Sequence, residues 1–220
     1  MPLATHEAYE LWADTYPPVA HNPLMRLEQE IVEPLLLHIR ATRALDVGTG
    51  SGRYLPLLES IGAAAFGLDF SLAMLRRGAT KLTRVCGDAR QLPFRRSSFD
   101  LINASLMVGD IADLNAWTRE MSRVLSVRGH LVYSDFHPSW AQQGWSRTFR
   151  SADGVMHDIS FNPHSIDAHL SALENVGLRV RTIREPRFSS SRGSDPAIKA
   201  FRRRWGNPPV IVAFHAVKEP

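Results

Sequence analysis

The sequence predicts a doubly wound α/β fold, a parallel sheet covered by helices on both faces, and three observations carry that prediction. Short apolar segments alternate with segments of helical period from residue 43 to residue 136. A buried strand at 43–47 runs directly into the glycine-rich turn Gly48-Thr49-Gly50-Ser51-Gly52-Arg53, which opens a helix. Candidate ligand-binding residues recur at successive strand ends, at Asp46, Gly48, Asp69, Asp88, Ser105 and His137. A parallel sheet gathers such residues on one carboxyl edge, where its ligands bind.

Taken in order, Tyr9, Trp12 and Tyr16 repeat at three- and four-residue steps, one face of a helix over 7–16 that Pro17-Pro18 stops. That face packs on the body of the protein or closes over a ligand as a lid. A second helix over 23–40 places Leu24, Leu27, Ile31, Leu35 and Ile39 together, with Pro34 expected to kink or divide it. After the glycine turn come a helix at 54–61 ended by Gly62, a strand at 64–68 ending in Asp69, a helix at 72–78 capped by Ser71, and a strand at 82–86. The run 98–105 reads as a strand buried on both faces. Asp113 caps a helix whose Leu114, Trp117, Met121, Val124 and Leu125 share a face, and a strand at 130–136 follows. The alternation then breaks. Segments 145–150 and 155–161, joined through Asp153-Gly154, predict a hairpin overhanging the strand ends. A helix at 164–176 capped by Gly177, strands at 178–183 and 210–218, and a polar Ser/Gly/Arg-rich loop at 189–207, mobile in expectation and holding a short helix at 196–204, complete the chain.

Composition limits the function classes. A chain of 220 residues buries one core, no apolar run approaches the roughly 18 residues of a membrane span, and the N-terminus lacks a basic-then-apolar signal pattern. The expectations are a cytoplasmic protein with no membrane partner. The formal charge is +4, yet Arg76-Arg77, Arg95-Arg96 and Arg202-Arg203-Arg204 are dispersed, which favours a solvated surface over a nucleic-acid groove. Cys86, the single cysteine, is expected to be a small buried hydrophobe. His164 and His169 are five apart, off the spacing of two ligands on one helix face, and no metal site is expected.

The glycine turn brings bare backbone amides close to a ligand. Arg53 stands where a dinucleotide fingerprint needs its third glycine, and Asp46 two residues before Gly48 would repel phosphates but stabilise a cation. Asp69, about 20 residues beyond the turn, suits both hydroxyls of a ribose, and Asp88 can accept from an adenine amino group, with a turn-forming role as its alternative. Together they describe a site for adenosine with a cationic tail.

In these residues the chain resembles the class I S-adenosylmethionine-dependent methyltransferases, within them the small-molecule branch similar to the ubiquinone/menaquinone and biotin biosynthesis enzymes. Leu45-Asp46-Val47-Gly48-Thr49-Gly50-Ser51-Gly52 looks like their first motif, Gly67-Leu68-Asp69-Phe70-Ser71 with Met74 their second, and Gly87-Asp88-Ala89-Arg90-Gln91-Leu92-Pro93-Phe94 their third. Ser98-Phe99-Asp100-Leu101-Ile102 matches the lead into their fourth strand. The resemblance implies a Rossmann-like, seven-stranded, mostly parallel sheet with an N-terminal helical lid (1–40), a methyltransferase domain (41–220) and an acceptor-side insertion (137–163). It also implies S-adenosylmethionine as cofactor, held by Tyr9, Tyr16, Asp46, Gly48, Thr49, Gly50, Gly52, Asp69, Phe70, Ser71, Met74, Asp88, Ala89 and Ser105. Residues 9–16 resemble the Tyr-x-x-Trp-Ala-x-x-Tyr lid segment, though Pro17 replaces a common Asp, and Leu106-Met107-Val108-Gly109-Asp110 lacks the histidine many relatives have there.

The implied reaction is methyl transfer to a small-molecule acceptor by direct displacement, which asks the protein for alignment and sometimes a base. His137 is the candidate base, with a backbone-bonded loop histidine as its alternative; Trp140, Trp145, Arg147 and Phe149 are candidates for the acceptor pocket. A nucleic-acid methyltransferase is the rival suggested by Asn207-Pro208-Pro209-Val210, but that motif belongs after the fourth strand, where this chain has Asn103-Ala104-Ser105-Leu106. A non-catalytic cofactor-binding scaffold also remains open.

Overall fold

The computed structural model describes residues 3–78, 83–188 and 195–220. Seven strands form one sheet in the order β3-β2-β1-β4-β5-β9-β8. They are β1 (Arg43–Val47), β2 (Ala64–Asp69), β3 (Thr83–Cys86), β4 (Phe99–Ser105), β5 (Leu125–Phe136), β8 (Leu178–Arg184) and β9 (Ile211–Lys218). The pairings from β3 to β5 are parallel, and β9 runs antiparallel to both neighbours. The order turns back between β1 and β4, which opens a crevice beyond their carboxyl ends.

The connecting helices cover both faces because each has one apolar stripe to bury. Helix α5 (Leu114–Val124) sets Leu114, Trp117 and Met121 into the core with Phe99, Tyr133 and Phe214, and Asp113 caps it through the amide of Ala116. On the other face α2 (Pro23–Leu37) and α3 (Leu55–Ser60) bring Val32, Leu36, Leu55 and Leu58 against Ala44, Leu101 and Val132. Helix α4 (Leu72–Arg77) starts on Ser71, whose hydroxyl accepts from the Met74 amide, and α7 (Ile166–Glu174) starts on Ser165.

Several expectations change. Pro34 lies inside α2, three residues before its end, without dividing it. The buried stripe of α2 is Met25, Leu27, Glu28, Val32 and Leu36, rotated about one position from the expected face, because the buried carboxylate of Glu28 faces inward with it. Cys86 is exposed, since β3 is an edge strand. The strand expected from 130 begins at Leu125, directly after α5, and a short helix α6 (Ser139–Gln143) falls where none is expected. The hairpin forms as β6 (Arg147–Arg150) and β7 (Met156–Ile159), separate from the main sheet. Leu82 of the expected third strand, and 189–194 of the expected mobile loop, lie outside the described residues; α8 (Pro196–Trp205) follows.

The N-terminal helix α1 (Thr5–Trp12) continues as a 3-10 turn, Ala13–Thr15. It lies across the carboxyl edge. Ala8 packs with Phe149 and Ile159 of the hairpin, and Glu10 accepts a hydrogen bond from the Ser71 hydroxyl.

Candidate active site

A cavity of about 650 Å³ opens at the carboxyl edge, within the usual range of roughly 300–1,000 Å³ for small-molecule sites. Its floor is the glycine turn. Gly48 (φ +67°) and Gly50 (φ +55°) occupy the left-handed region, and a Cβ on Gly48 would stand 2.7 Å from Met107 Cγ. Only glycine permits that approach.

One half of the cavity is rich in carboxylates. Asp46 is buried, accepting from Thr49 Oγ1 (2.6 Å) and Asn103 Nδ2 (2.7 Å), and burial pushes its carboxyl up to about 6. Asp69 accepts from the backbone amides of Gly50 (2.8 Å) and Ser71 (2.9 Å), and burial raises it to about 6 as well. Neither has a cationic side chain bonded to it among the described residues. Two buried donors in the turn, Ser51 Oγ and Arg53 Nη1, have no hydrogen-bond partner among the described residues, although Arg53 Nη2 reaches Glu28 at 2.8 Å. Unpaired carboxylates beside unpaired donors suit a ligand carrying both a cation and a carboxylate. Asp88 also lines the cavity, but Arg90 grips its carboxylate (2.6 Å from Nη2) and holds it below the usual range.

The other half is apolar and aromatic: Phe136, Trp140, Phe188, Ile198 and Phe201 line it. Between the halves stands a partly buried triad from three elements. Arg147 of β6 donates to Asp110 Oδ1 (2.5 Å) and to the Tyr9 hydroxyl (2.7 Å), and Tyr9 donates to Asp110 Oδ2 (2.9 Å). Burial raises the Tyr9 phenol well above its ordinary value, with Arg147 opposing. The Arg147 guanidinium lies 4.9 Å from the Phe136 ring centroid.

The expected site residues divide accordingly. Tyr9, Tyr16, Asp46, Gly48, Thr49, Gly50, Asp69, Phe70, Asp88, Ala89 and Ser105 line the cavity, as do Trp140 and Arg147. Six others are not among its lining residues. Gly52 sits on the far side of the turn (φ +90°). Ser71 caps α4, and Met74, 1% exposed, belongs to the core. His137 has both ring nitrogens engaged by residues outside the lining, Nδ1 with Ser139 (2.9 Å) and Nε2 with Glu185 (3.0 Å). Trp145 packs on Phe201 and Trp205, and Phe149 stacks on Trp12 and His157. Arg147 meets an acidic group, as its charge suggests, but the group is the chain's own Asp110. Asn207-Pro208-Pro209 precedes β9 and is remote in sequence from the end of β4.

Sequence reading missed Ser51, Arg53, Glu28, Asn103 and Asp110. Arg53, in the turn itself, was legible as a charge beside the ligand; Glu28 and Asn103 reach the site only through tertiary contacts, Glu28 accepting from Arg53, Tyr54 (2.8 Å) and Ser134 (2.8 Å).

Residues 45–133 match the methyltransferase domain family. The demethylmenaquinone methyltransferase of Mycolicibacterium paratuberculosis is 32% identical over 183 residues, covering 81% of this chain and 76% of that protein. The chain belongs to the S-adenosylmethionine-dependent methyltransferase family. The demethylmenaquinone methyltransferase of Corynebacterium urealyticum is 32% identical over 128 residues, 56% of each chain. The chain spans about half the length of the first curated methyltransferases it matches. In fold it superposes on a methyltransferase structure from Mesorhizobium loti with a TM-score of 0.67 at 22% identity, covering 89% of this chain and 100% of that one. S-adenosylmethionine is the cofactor of the methyltransferase family, and the carboxylates and free donors around the glycine turn fit its ammonium, carboxylate and nucleoside.

Proposed function

We propose that this chain transfers a methyl group to a small-molecule acceptor by direct displacement, leaving S-adenosylhomocysteine. The observation that carries the proposal is the division of one cavity into a carboxylate-rich half and an apolar half at the switch point of the sheet. When bound, S-adenosylmethionine supplies the electrophile, a methyl group on a sulfonium. Asp69 accepts from the ribose hydroxyls, Asp88 from the adenine amino group, and Asp46 stabilises the ammonium, while Ser51 and Arg53 donate to the carboxylate. Trp140 and Phe136 hold the acceptor, and the aromatic face of α1 covers the cavity as a lid, excluding water. The names of the relatives, demethylmenaquinone methyltransferases, support an apolar ring as the acceptor's character. With His137 outside the cavity, alignment carries the reaction, and the histidine that lines the cavity is His6 of α1. An apolar half of this kind also favours an enzyme over a binding-only scaffold, which needs no acceptor space.

The test pairs a turnover screen of apolar ring acceptors with titration of S-adenosylhomocysteine into the Asp69→Ala variant. Affinity is expected to drop about 10- to 100-fold, the worth of hydrogen bonds to a charged group, with the protein still folded. Unchanged affinity removes the ribose role of Asp69; turnover only with RNA or DNA replaces the small-molecule reading.

A further inference from the structure

The charge of this chain is concentrated. Residues 178–205 hold nine Lys/Arg against two Asp/Glu, a local +7 in a chain whose total is +4, so the remainder is −3. Both acids are engaged: Glu185 bonds His137, and Asp195 bonds Arg26 at 2.7 Å while capping α8 through the amide of Ala197. Four of the cations lie in α8 itself. At 100° per residue Lys199, Arg202 and Arg203 share one face, and Ile198, Phe201 and Trp205 share the adjoining one, centred about 120° round the helix. The three basic residues are exposed and none is paired with a carboxylate among the described residues. Arg204 lies over the half-buried Trp205, 4.7 Å from its ring centroid. The inner face, through Ile198 and Phe201, lines the apolar half of the cavity.

We propose that the basic face of α8 is a docking surface for an anionic lipid bilayer. A cluster of four or more Lys/Arg on an amphipathic helix has the charge density that anionic headgroups attract, at close to fivefold in affinity per residue. Nucleic acid shares the anionic charge, and the choice of a bilayer rests on the proposed acceptor pocket. The cavity wall behind α8 is mainly aromatic and aliphatic, with Phe188, Ile198 and Phe201. A bilayer supplies at one place the anionic surface that suits the outer face and an apolar phase from which a lipophilic acceptor can enter past the inner one.

The test is co-sedimentation of the whole chain with phosphatidylglycerol vesicles and, separately, phosphatidylcholine vesicles. The protein is expected to pellet with the first at low salt, to stay in solution with the second, and to be released from the first by high salt. The K199S/R202S/R203S variant is expected to lose at least about tenfold of its partitioning while keeping the wild-type thermal shift with S-adenosylhomocysteine. Equal pelleting of variant and wild type, pelleting with neither vesicle, or capture by an RNA duplex in place of vesicles overturns the proposal. Failure of S-adenosylhomocysteine to bind the wild type would count against the methyl-transfer reading and leave the vesicle result to stand by itself.

Discussion

Asp135 shows what a buried carboxylate does to the energetics of this site. It lies at the carboxyl end of β5, 4% exposed, accepting from the Phe136 amide at 2.8 Å, and burial pushes it up to about 7. Because its folded value exceeds the unfolded one, the native state holds the proton more readily, and this group's contribution to stability declines as pH rises from about 4 through 7. Asp135→Asn keeps the acceptor oxygen and removes the charge. The variant is expected to gain on the wild type by about 3 kcal/mol between pH 5 and pH 8, read as a widening difference between thermal melts. A difference that stays constant across that range would mean the carboxylate is not protonated in the native protein at pH 5. Asp46 and Asp69 obey the same sign, each raised to about 6 by burial in the cavity wall.

Among the elements, α1 is tied to the site by few bonds. The Tyr9 hydroxyl joins it to Asp110 and Arg147, and Glu10 joins it to Ser71 and, at 3.4 Å, to the amide of Ala73. Its own N-terminus has no side-chain cap. Tyr9→Phe deletes two of those tying hydrogen bonds while leaving the Arg147–Asp110 pair in place. Hydrogen exchange of the amides in 5–15 is expected to accelerate about tenfold, with the amides of β1 and β4 unaffected. Exchange that is unchanged in α1 would show the helix to be held by Glu10 and by its packing on Phe149 and Ile159 without Tyr9.

For the whole molecule, ligand binding and folding are linked, since an intact cavity needs strands β1 to β4 and α1 together. S-adenosylhomocysteine at 100 times its dissociation constant adds about 2.7 kcal/mol. In a domain of this size that is expected to raise Tm by about 5–10 °C, measured by thermal shift. The absence of a shift with both cofactor and product at saturation would end the assignment of the cavity as their site.

Most of the fold was legible because strand and helix periods differ and because the boundaries carry local chemistry. Ser71, Asp113 and Gly62 act at the ends where capping and left-handed backbone are needed. The glycine turn, Asp46 and Asp69 were legible for the same reason: adjacent residues in the chain form the floor of the site. What one element does to another is not written in its own period. The rotation of α2 about Glu28, the outward turn of His137 toward Glu185, and the joining of Tyr9, Asp110 and Arg147 each depend on partners 25 to 138 residues away. Local sequence therefore determined the sheet, its switch point and the carboxylate-rich half of the cavity. Only the tertiary structure decided which side chains face the apolar half and that the basic residues of α8 gather on its outer face, because burial, long-range pairing and the facing of a helix are properties of packed surfaces.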